Sequence, residues 1–231
     1  IKQPVVISML PDYKRFGKYY SLVIGVDKYV HLPNLQSAVF DAETISATLQ
    51  KNYGFESQVL INPSRDQIIE SLSAYRKSMK QSDNLLIYYA GHGWLDEEAD
   101  QGYWLPADAK RDNESRWLSN ATLTSSIRAI PAKHIMVISD SCYSGKLVRG
   151  LKMANRNSNY IEKLITKKAR TVLTSGGLEP VMDSGGKNNH SVFASALLDV
   201  LDNNEGILEG IELFSQIRSP VALNSDQIPE Y

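Results

Sequence analysis

The sequence is poor in cysteine and in long apolar runs. Its 231 residues include one cysteine, Cys142, so no disulfide can form within the chain and no zinc site can rest on several thiolates. The longest purely apolar run, 85–90, has six residues and is too short to cross a bilayer. We therefore expect a cytoplasmic protein, while the ends at Ile1 and Tyr231 suggest a piece of a longer chain and leave a removed leader or fused domains open.

The chain also lacks an excess of charge of either sign. It carries 25 Lys and Arg against 26 Asp and Glu, so it has no global positive charge to attract nucleic acid or an anionic membrane. Hydrophobic residues make up 42% and charged residues 22%, as in an ordinary globular domain. Locally, 96–114 holds seven acids and two bases, and 146–170 holds eight bases and one acid. Two solvated loops are the simplest explanation of these two segments.

Short β-rich runs alternate with helical stretches along the chain. Strands are predicted at 21–26, 57–61, 84–90, 134–139 and 170–174. Helices are predicted at 38–49, from a capping box at 64–67, and at 122–130, 160–165, 192–201 and 211–217. The alternation predicts an α/β fold with a mostly parallel sheet. Because no repeat or linker divides the chain, we expect a single domain over residues 1–231.

Two residues with reactive side chains follow predicted strands directly. His92 stands between Gly91 and Gly93 after 84–90, and Cys142 follows 134–139. Ligands bind outside the carboxyl ends of parallel strands, so we expect both side chains to face one crevice. An imidazole can generate a thiolate and later protonate a leaving amine, and the amides of Gly93 and Cys142 can donate to an oxyanion. Taken singly, each residue is more often structural, but together they predict a catalytic pair.

The two motifs, 88–93 and 140–145, resemble the catalytic histidine and cysteine motifs of the caspase-like cysteine peptidases, peptidase family C14. Segments 21–29 and 32–42 are similar to the first strand and the first helix of the metacaspase and paracaspase branches. Tyr143 stands where metacaspases commonly have histidine, so the chain looks most like a bacterial caspase homologue or a paracaspase-like protein. The resemblance implies an α/β three-layer sandwich with a mostly parallel sheet of about six strands and helices on both faces.

The resemblance also implies a thiol protease. His92 would be the general base and acid, Cys142 the nucleophile, and the Gly93 and Cys142 amides the oxyanion hole. In the branches that cleave after basic residues, acids line the pocket for the side chain before the scissile bond. The residues at matching positions, or near them, are Asp41, Asp140 and one of Glu179 and Asp183.

These acids predict cleavage after Arg or Lys, because a carboxylate selects a cation by pairing with it in a partly dry site. The residues alone allow another interpretation. Asp140 would then cap a loop, and Asp41 would lie on a helix surface or bond within its own helix. The choice between Glu179 and Asp183 stays open at this point.

Activation and partners are likewise implied by the family. Its members are often zymogens cut in the loop between the two halves, which makes 146–170 a candidate processing loop with autocatalytic sites at Arg149, Lys152 or Arg156. We expect protein or peptide substrates, an activating protein or a fused regulatory domain, and neither nucleic acid nor membrane.

We expect no cofactor. Some metacaspases need calcium, but the acids of 96–100 lack the pattern of a dedicated calcium loop. The alternatives to a peptidase are a non-proteolytic scaffold or signalling module of the same fold, and a different cysteine hydrolase or transferase.

Overall fold

The structure is a computed structural model that describes residues 16–141, 168–176 and 182–231, and its centre is a parallel sheet. The strands are β1 (Tyr19–Gly25), β2 (Glu56–Ile61), β3 (Asn84–Ala90), β4 (Gly93–Asp96), β5 (Gln101–Trp104), β6 (Leu118–Ser119), β7 (His134–Asp140) and β8 (Ala169–Thr174). The helices are α1 (Ala38–Tyr53), α2 (Arg65–Ser78), α3 (Asn120–Ala129), α4 (Val192–Asn203) and α5 (Gly210–Asn224). None of the helices in the described ranges has both the length and the apolar character needed to cross a membrane.

The central sheet has the strand order β2-β1-β3-β7-β8, with every pair parallel. The predicted α/β class and parallel sheet are therefore confirmed. The expected number of about six strands is too high for the described residues, where the central sheet has five. At the outer edge of β8, a single antiparallel bridge joins Thr174 to Glu230. The chain near Glu230 therefore extends the sheet by one residue pair and not by a full sixth strand.

Side chains alternate between the two faces of this sheet, and each face is covered. In β1, Val23 packs with α1, α4 and α5, whereas Leu22 and Ile24 pack with α2 and α3. A second, antiparallel sheet of β4, β5 and β6 lies on the α2 and α3 side, where Trp104 joins the core. The expected three layers are therefore present. The small sheet was not predicted, because strands of two to four residues are too short to show a period.

Two local features bring α1 and α2 to their positions. A Cβ atom on Gly25 would lie 2.7 Å from the carbonyl oxygen of Ala38, so the first turn of α1 packs directly on the end of β1. The predicted capping box at the start of α2 is confirmed, since Ser64 and Gln67 exchange side-chain and backbone hydrogen bonds. The N-terminus of α1 therefore lies at the carboxyl edge of the sheet.

Strand β8 begins within the candidate processing loop. Residues 169 and 170 belong to the strand, so a loop can extend only as far as 168. The Arg170 guanidinium donates to carbonyl oxygens of Ala169 and of the segment before β7 at 2.9–3.0 Å; these are the oxygens of Ile130, Ala132 and Lys133. The predicted helix 160–165 and the candidate sites Arg149, Lys152 and Arg156 lie outside the described residues.

Candidate active site

The ends of β3 and β7 lie side by side at the carboxyl edge of the sheet. Ala90 pairs with Asp140, and the Gly91 N–H donates to the Asp140 carbonyl oxygen at 3.4 Å. His92 follows β3, and Ser141 follows β7. Cys142 is the next residue and lies outside the described residues. The strand order thus brings His92 and the chain leading to Cys142 to neighbouring exits.

His92 is held through its backbone and its ring. Its N–H donates to the Tyr29 hydroxyl at 2.7 Å, and its carbonyl oxygen accepts from the Tyr89 hydroxyl at 2.8 Å and the Leu105 N–H at 3.0 Å. The ring Nε2 lies 2.9 Å from the Pro33 carbonyl oxygen. Because a carbonyl oxygen can only accept, Nε2 must carry the hydrogen. The lone pair of the neutral imidazole is therefore on Nδ1.

Gly91 is required for a steric reason. A Cβ atom there would lie 2.7 Å from the Tyr89 hydroxyl and 2.9 Å from the Tyr29 hydroxyl, closer than such contacts allow. Burial raises the pKa of Tyr29, so this phenol stays neutral. Sequence reasoning singled out the glycine but not the tyrosines that make it necessary.

The Gly93 amide points away from the neighbouring strand. The bond from the Leu105 N–H to the His92 carbonyl makes Gly93 and Trp104 a non-hydrogen-bonded pair of the β4–β5 ladder. In such a pair, the N–H groups are directed away from the partner strand. This orientation is compatible with the expected oxyanion contact.

Asp41 lies in the first turn of α1 and is fully buried. Its Oδ1 is 2.5 Å from His190 Nδ1, and its Oδ2 accepts from the Ser37 hydroxyl at 2.8 Å and the Ser191 N–H at 3.2 Å. Burial raises the pKa of Asp41, while these hydrogen bonds act in the opposite direction. The helix-surface alternative for Asp41 is therefore wrong.

Asp140 ends β7 and is buried beside Asp41. Its Oδ2 accepts from the Ser191 hydroxyl at 2.7 Å, while its Oδ1 is buried and makes no hydrogen bond of normal geometry in the described structure. The Ser175 hydroxyl is close enough to lower the pKa of this carboxyl, and its oxygen is likewise buried without a hydrogen bond of normal geometry. Burial raises the pKa of Asp140 to about 7, and the negative charge of Asp41 adds to the rise. Ser191 is also the N-cap of α4, since its Oγ accepts from the Ala194 N–H at 2.9 Å. One serine therefore binds both carboxylates.

Asp183 joins the same network from the segment before α4. Its carboxylate accepts from the Gln36 N–H, and from the Ser37 N–H at 3.1 Å. The Ser37 hydroxyl, which donates to Asp41, lies 3.2 Å from Asp183 Oδ1, a second acceptor. The structure thus connects Asp183 to Asp41 through Ser37. Glu179, the alternative for a third acid, lies outside the described residues.

His190 was given no role from the sequence, although it lies at the centre of this network. It is buried, bonds to Asp41 and stacks on Phe40, with ring centroids 4.6 Å apart. The sequence does contain one signal for the position of His190. Ser191 is a good N-cap immediately before the apolar start of α4, which places His190 at the N-terminus of that helix. Among the described residues, no group of three or more His, Cys, Asp or Glu side chains could hold a metal ion.

Comparisons with known proteins agree with this architecture. The C14 family model, the caspase domain, matches residues 18–231. Metacaspase-1 of Botryotinia fuckeliana is 24% identical over 152 residues, which cover 56% of this chain and 35% of that protein. Metacaspase-7 of Arabidopsis thaliana is 29% identical over 149 residues, covering 55% of this chain and 35% of that protein. The matched region therefore spans about a third of the length of these relatives.

A solved structure shares the fold at low sequence identity. The crystal structure of protein GSU0716 from Geobacter sulfurreducens aligns with a TM-score of 0.67 and 17% identity, over 92% of each chain. Because the family model covers nearly the whole sequence, this chain belongs to the caspase-domain family, peptidase family C14.

Proposed function

We propose that this chain is a cysteine endopeptidase that hydrolyses peptide bonds after Arg or Lys. Membership of the C14 family supports the reaction class. The observation that carries the specificity is the network in which Ser37 and Ser191 join three carboxylates, those of Asp41, Asp140 and Asp183. This network lies at the edge of the sheet from which His92 and the chain to Cys142 emerge.

The chemistry assigned to the pair follows from the state of the imidazole. His92 Nδ1 takes the proton from Cys142 Sγ, and the thiolate attacks the carbonyl carbon of the scissile bond. The carbonyl π electrons move to oxygen, where the Gly93 and Cys142 N–H groups stabilise the negative charge. The electron pair on oxygen then re-forms the carbonyl, the C–N bond breaks to leave a thioester on Cys142, and His92 gives the proton to the leaving amine. Water, deprotonated by the same imidazole, then hydrolyses the thioester and regenerates the thiol.

The pocket acids have different roles in this proposal. Asp41 already accepts from His190, Ser37 and Ser191, so its lone pairs are largely used within the protein. Asp140 has a buried oxygen that makes no hydrogen bond of normal geometry in the described structure, with only the neutral Ser175 hydroxyl nearby, and a guanidinium or ammonium group would satisfy it. We therefore assign the direct contact with the substrate cation to Asp140, and to Asp41 the task of holding the pocket in place.

The basic segment, 146–170, is the proposed site of activation. A peptidase specific for basic residues would cleave its own chain after Arg149, Lys152 or Arg156. Incubation of wild-type and Cys142→Ala protein, followed by a denaturing gel, tests this idea. We expect two fragments from the wild type and an intact chain from the variant. Identical bands would contradict autoprocessing.

Fluorogenic peptides that end in Arg, Lys, Asp or Leu test the function itself. We expect turnover of the Arg and Lys peptides only, none by Cys142→Ala, and a large loss with Asp140→Asn. Equal turnover of the Leu and Arg peptides would contradict the pocket assignment. No turnover of any peptide by protein whose single thiol labels fully would favour the scaffold alternative.

A further inference from the structure

Two aromatic rings are stacked in the core directly behind the candidate active site. Tyr89 in β3 and Trp104 in β5 have ring centroids 4.2 Å apart and an angle of 6° between their planes. Both side chains are almost completely buried. The Tyr89 hydroxyl and the Trp104 Nε1–H nevertheless form hydrogen bonds outside the stack, each with a different segment of the chain.

The Tyr89 hydroxyl serves the segment that carries His92. It donates to the His92 carbonyl oxygen at 2.8 Å, and the Leu105 carbonyl oxygen lies 3.1 Å away as a second acceptor. Leu105 also donates its own N–H to the His92 carbonyl. The phenol therefore fixes the backbone at the residue whose ring must be oriented.

The Trp104 indole serves the segment that leads to Cys142. Its Nε1–H donates to Ser139 Oγ at 3.0 Å, and Ser139 Oγ lies 2.9 Å from Ser141 Oγ. Both serines are buried, and Ser141 directly precedes Cys142 in the chain. Because an indole N–H can only donate, it fixes one lone pair of Ser139 as an acceptor. A buried hydrogen-bonded chain thus connects Trp104 to the residue before the nucleophile.

We propose that Tyr89 and Trp104 form one positioning unit that aligns the two arms of the catalytic pair, Tyr89 through the His92 carbonyl and Trp104 through Ser139 and Ser141. This inference rests on the proposed function of His92 and Cys142. A stack of flat, close-packed rings is stiff, so a shift of one ring moves the other. The position of His92 relative to Ser141, the residue before Cys142, is then set by a contact between β3 and β5, which belong to different sheets.

The chain offers a matched control for the loss of an indole hydrogen bond. Trp117 is buried in the same layer and donates its Nε1–H to the Lys110 carbonyl oxygen at 2.7 Å. Lys110 belongs to the acidic segment 96–114, so this bond makes no connection to Ser139. Trp104→Phe and Trp117→Phe therefore remove the same group from similar surroundings, and only the first breaks the connection to Ser141.

The primary measurement is the rate at which iodoacetamide alkylates Cys142, which is the only thiol in the chain and can be followed without peptidase activity. A thiol paired with an imidazole reacts at pH values well below the ordinary pKa of a cysteine thiol. We expect Trp104→Phe and Tyr89→Phe each to slow alkylation at about pH 6 roughly tenfold, since a displacement of about 1 Å has effects of that size or larger. With the Arg peptide, kcat should fall by a similar factor at unchanged KM.

The controls separate alignment from folding. Trp117→Phe should leave alkylation and kcat within about twofold of the wild type, even where its loss of Tm equals that of Trp104→Phe. If Trp104→Phe does not fold, Ser139→Ala breaks the same connection and leaves both rings in place. Equal effects of the two Trp variants would overturn the proposal, as would unchanged alkylation in Ser139→Ala.

The outcome also distinguishes this inference from the proposed function. Wild-type protein that alkylates rapidly at about pH 6 but cleaves no peptide would overturn the peptidase function, while the alkylation rates of the variants still decide the positioning role. A wild-type thiol that reacts only in the range of a free cysteine would overturn both.

Discussion

The hydroxyl of Ser191 donates to Asp140 Oδ2 at 2.7 Å, while the same residue caps α4. We expect Ser191→Ala to raise KM for an Arg peptide about tenfold, because Asp140 would lose the bond that orients it. Ser191→Thr should restore most of the affinity. Ser64→Ala, which removes the N-cap of α2, is the control for helix stability. An equal KM for Ser191→Ala and Ser64→Ala would contradict the role in the pocket.

Burial of Asp140 makes stability depend on pH. The pKa of Asp140 is raised to about 7, so the folded chain keeps a proton that the unfolded chain loses near pH 4. The folded state binds more protons between these values, so the free energy of unfolding should fall as pH rises from about 4 to about 7 and then level.

Asp140→Asn should remove most of this slope and make the protein more stable than the wild type at about pH 8, by on the order of 1–3 kcal/mol. Urea unfolding at several pH values measures the effect. Some slope should remain, since burial also raises the pKa of Asp41. Asp226→Asn, at an exposed position, should parallel the wild type. A parallel curve for Asp140→Asn as well would show that Asp140 does not titrate in this way.

Gly91→Ala tests the steric account of the His92 loop. The new methyl group would meet the hydroxyls of Tyr89 and Tyr29, so we expect a loss of about 1–3 kcal/mol in stability together with reduced kcat. The double variant Gly91→Ala with Tyr89→Phe should recover part of the stability, because the nearer hydroxyl is gone. Gly206→Ala, with no atom within 4 Å of the new Cβ, is the neutral control. No recovery in the double variant would argue against this contact.

Asp183 has two possible roles that an experiment can separate. It can hold the backbone of Gln36 and Ser37, or it can bind the cation of the substrate. Its oxygens accept from the backbone of Gln36 and Ser37, and an asparagine would keep one acceptor. If the loop is held by capping, Asp183→Asn should retain most of the Arg-peptide kcat/KM, and Asp183→Ala should lose it. An equally large loss in both variants, with unchanged Tm, would instead assign Asp183 to the substrate cation.

The sequence contains the main elements of the fold in a readable form. β3 was predicted with its observed bounds, since its continuous apolar run is typical of a strand covered on both faces. The network around the acids could not be predicted in the same way. Asp41 and His190 are 149 residues apart in sequence, and no local pattern encodes their contact.

Backbone groups were also invisible to sequence reasoning. The Pro33 carbonyl orients His92, but every residue has such a carbonyl, so its identity carries no signal. The sequence therefore supplies the candidate residues for the chemistry, whereas the groups that orient them depend on the tertiary structure.

The bonds of Arg170 have a consequence for how a processed molecule would behave. A cut between 146 and 167 would leave β8 attached by its pairing with β7 and by the guanidinium on the carbonyls of 130–133. The two fragments would therefore elute together in size-exclusion chromatography and separate only on a denaturing gel. Cleavage would open the loop, while the two fragments would stay together and the native particle would keep its mass.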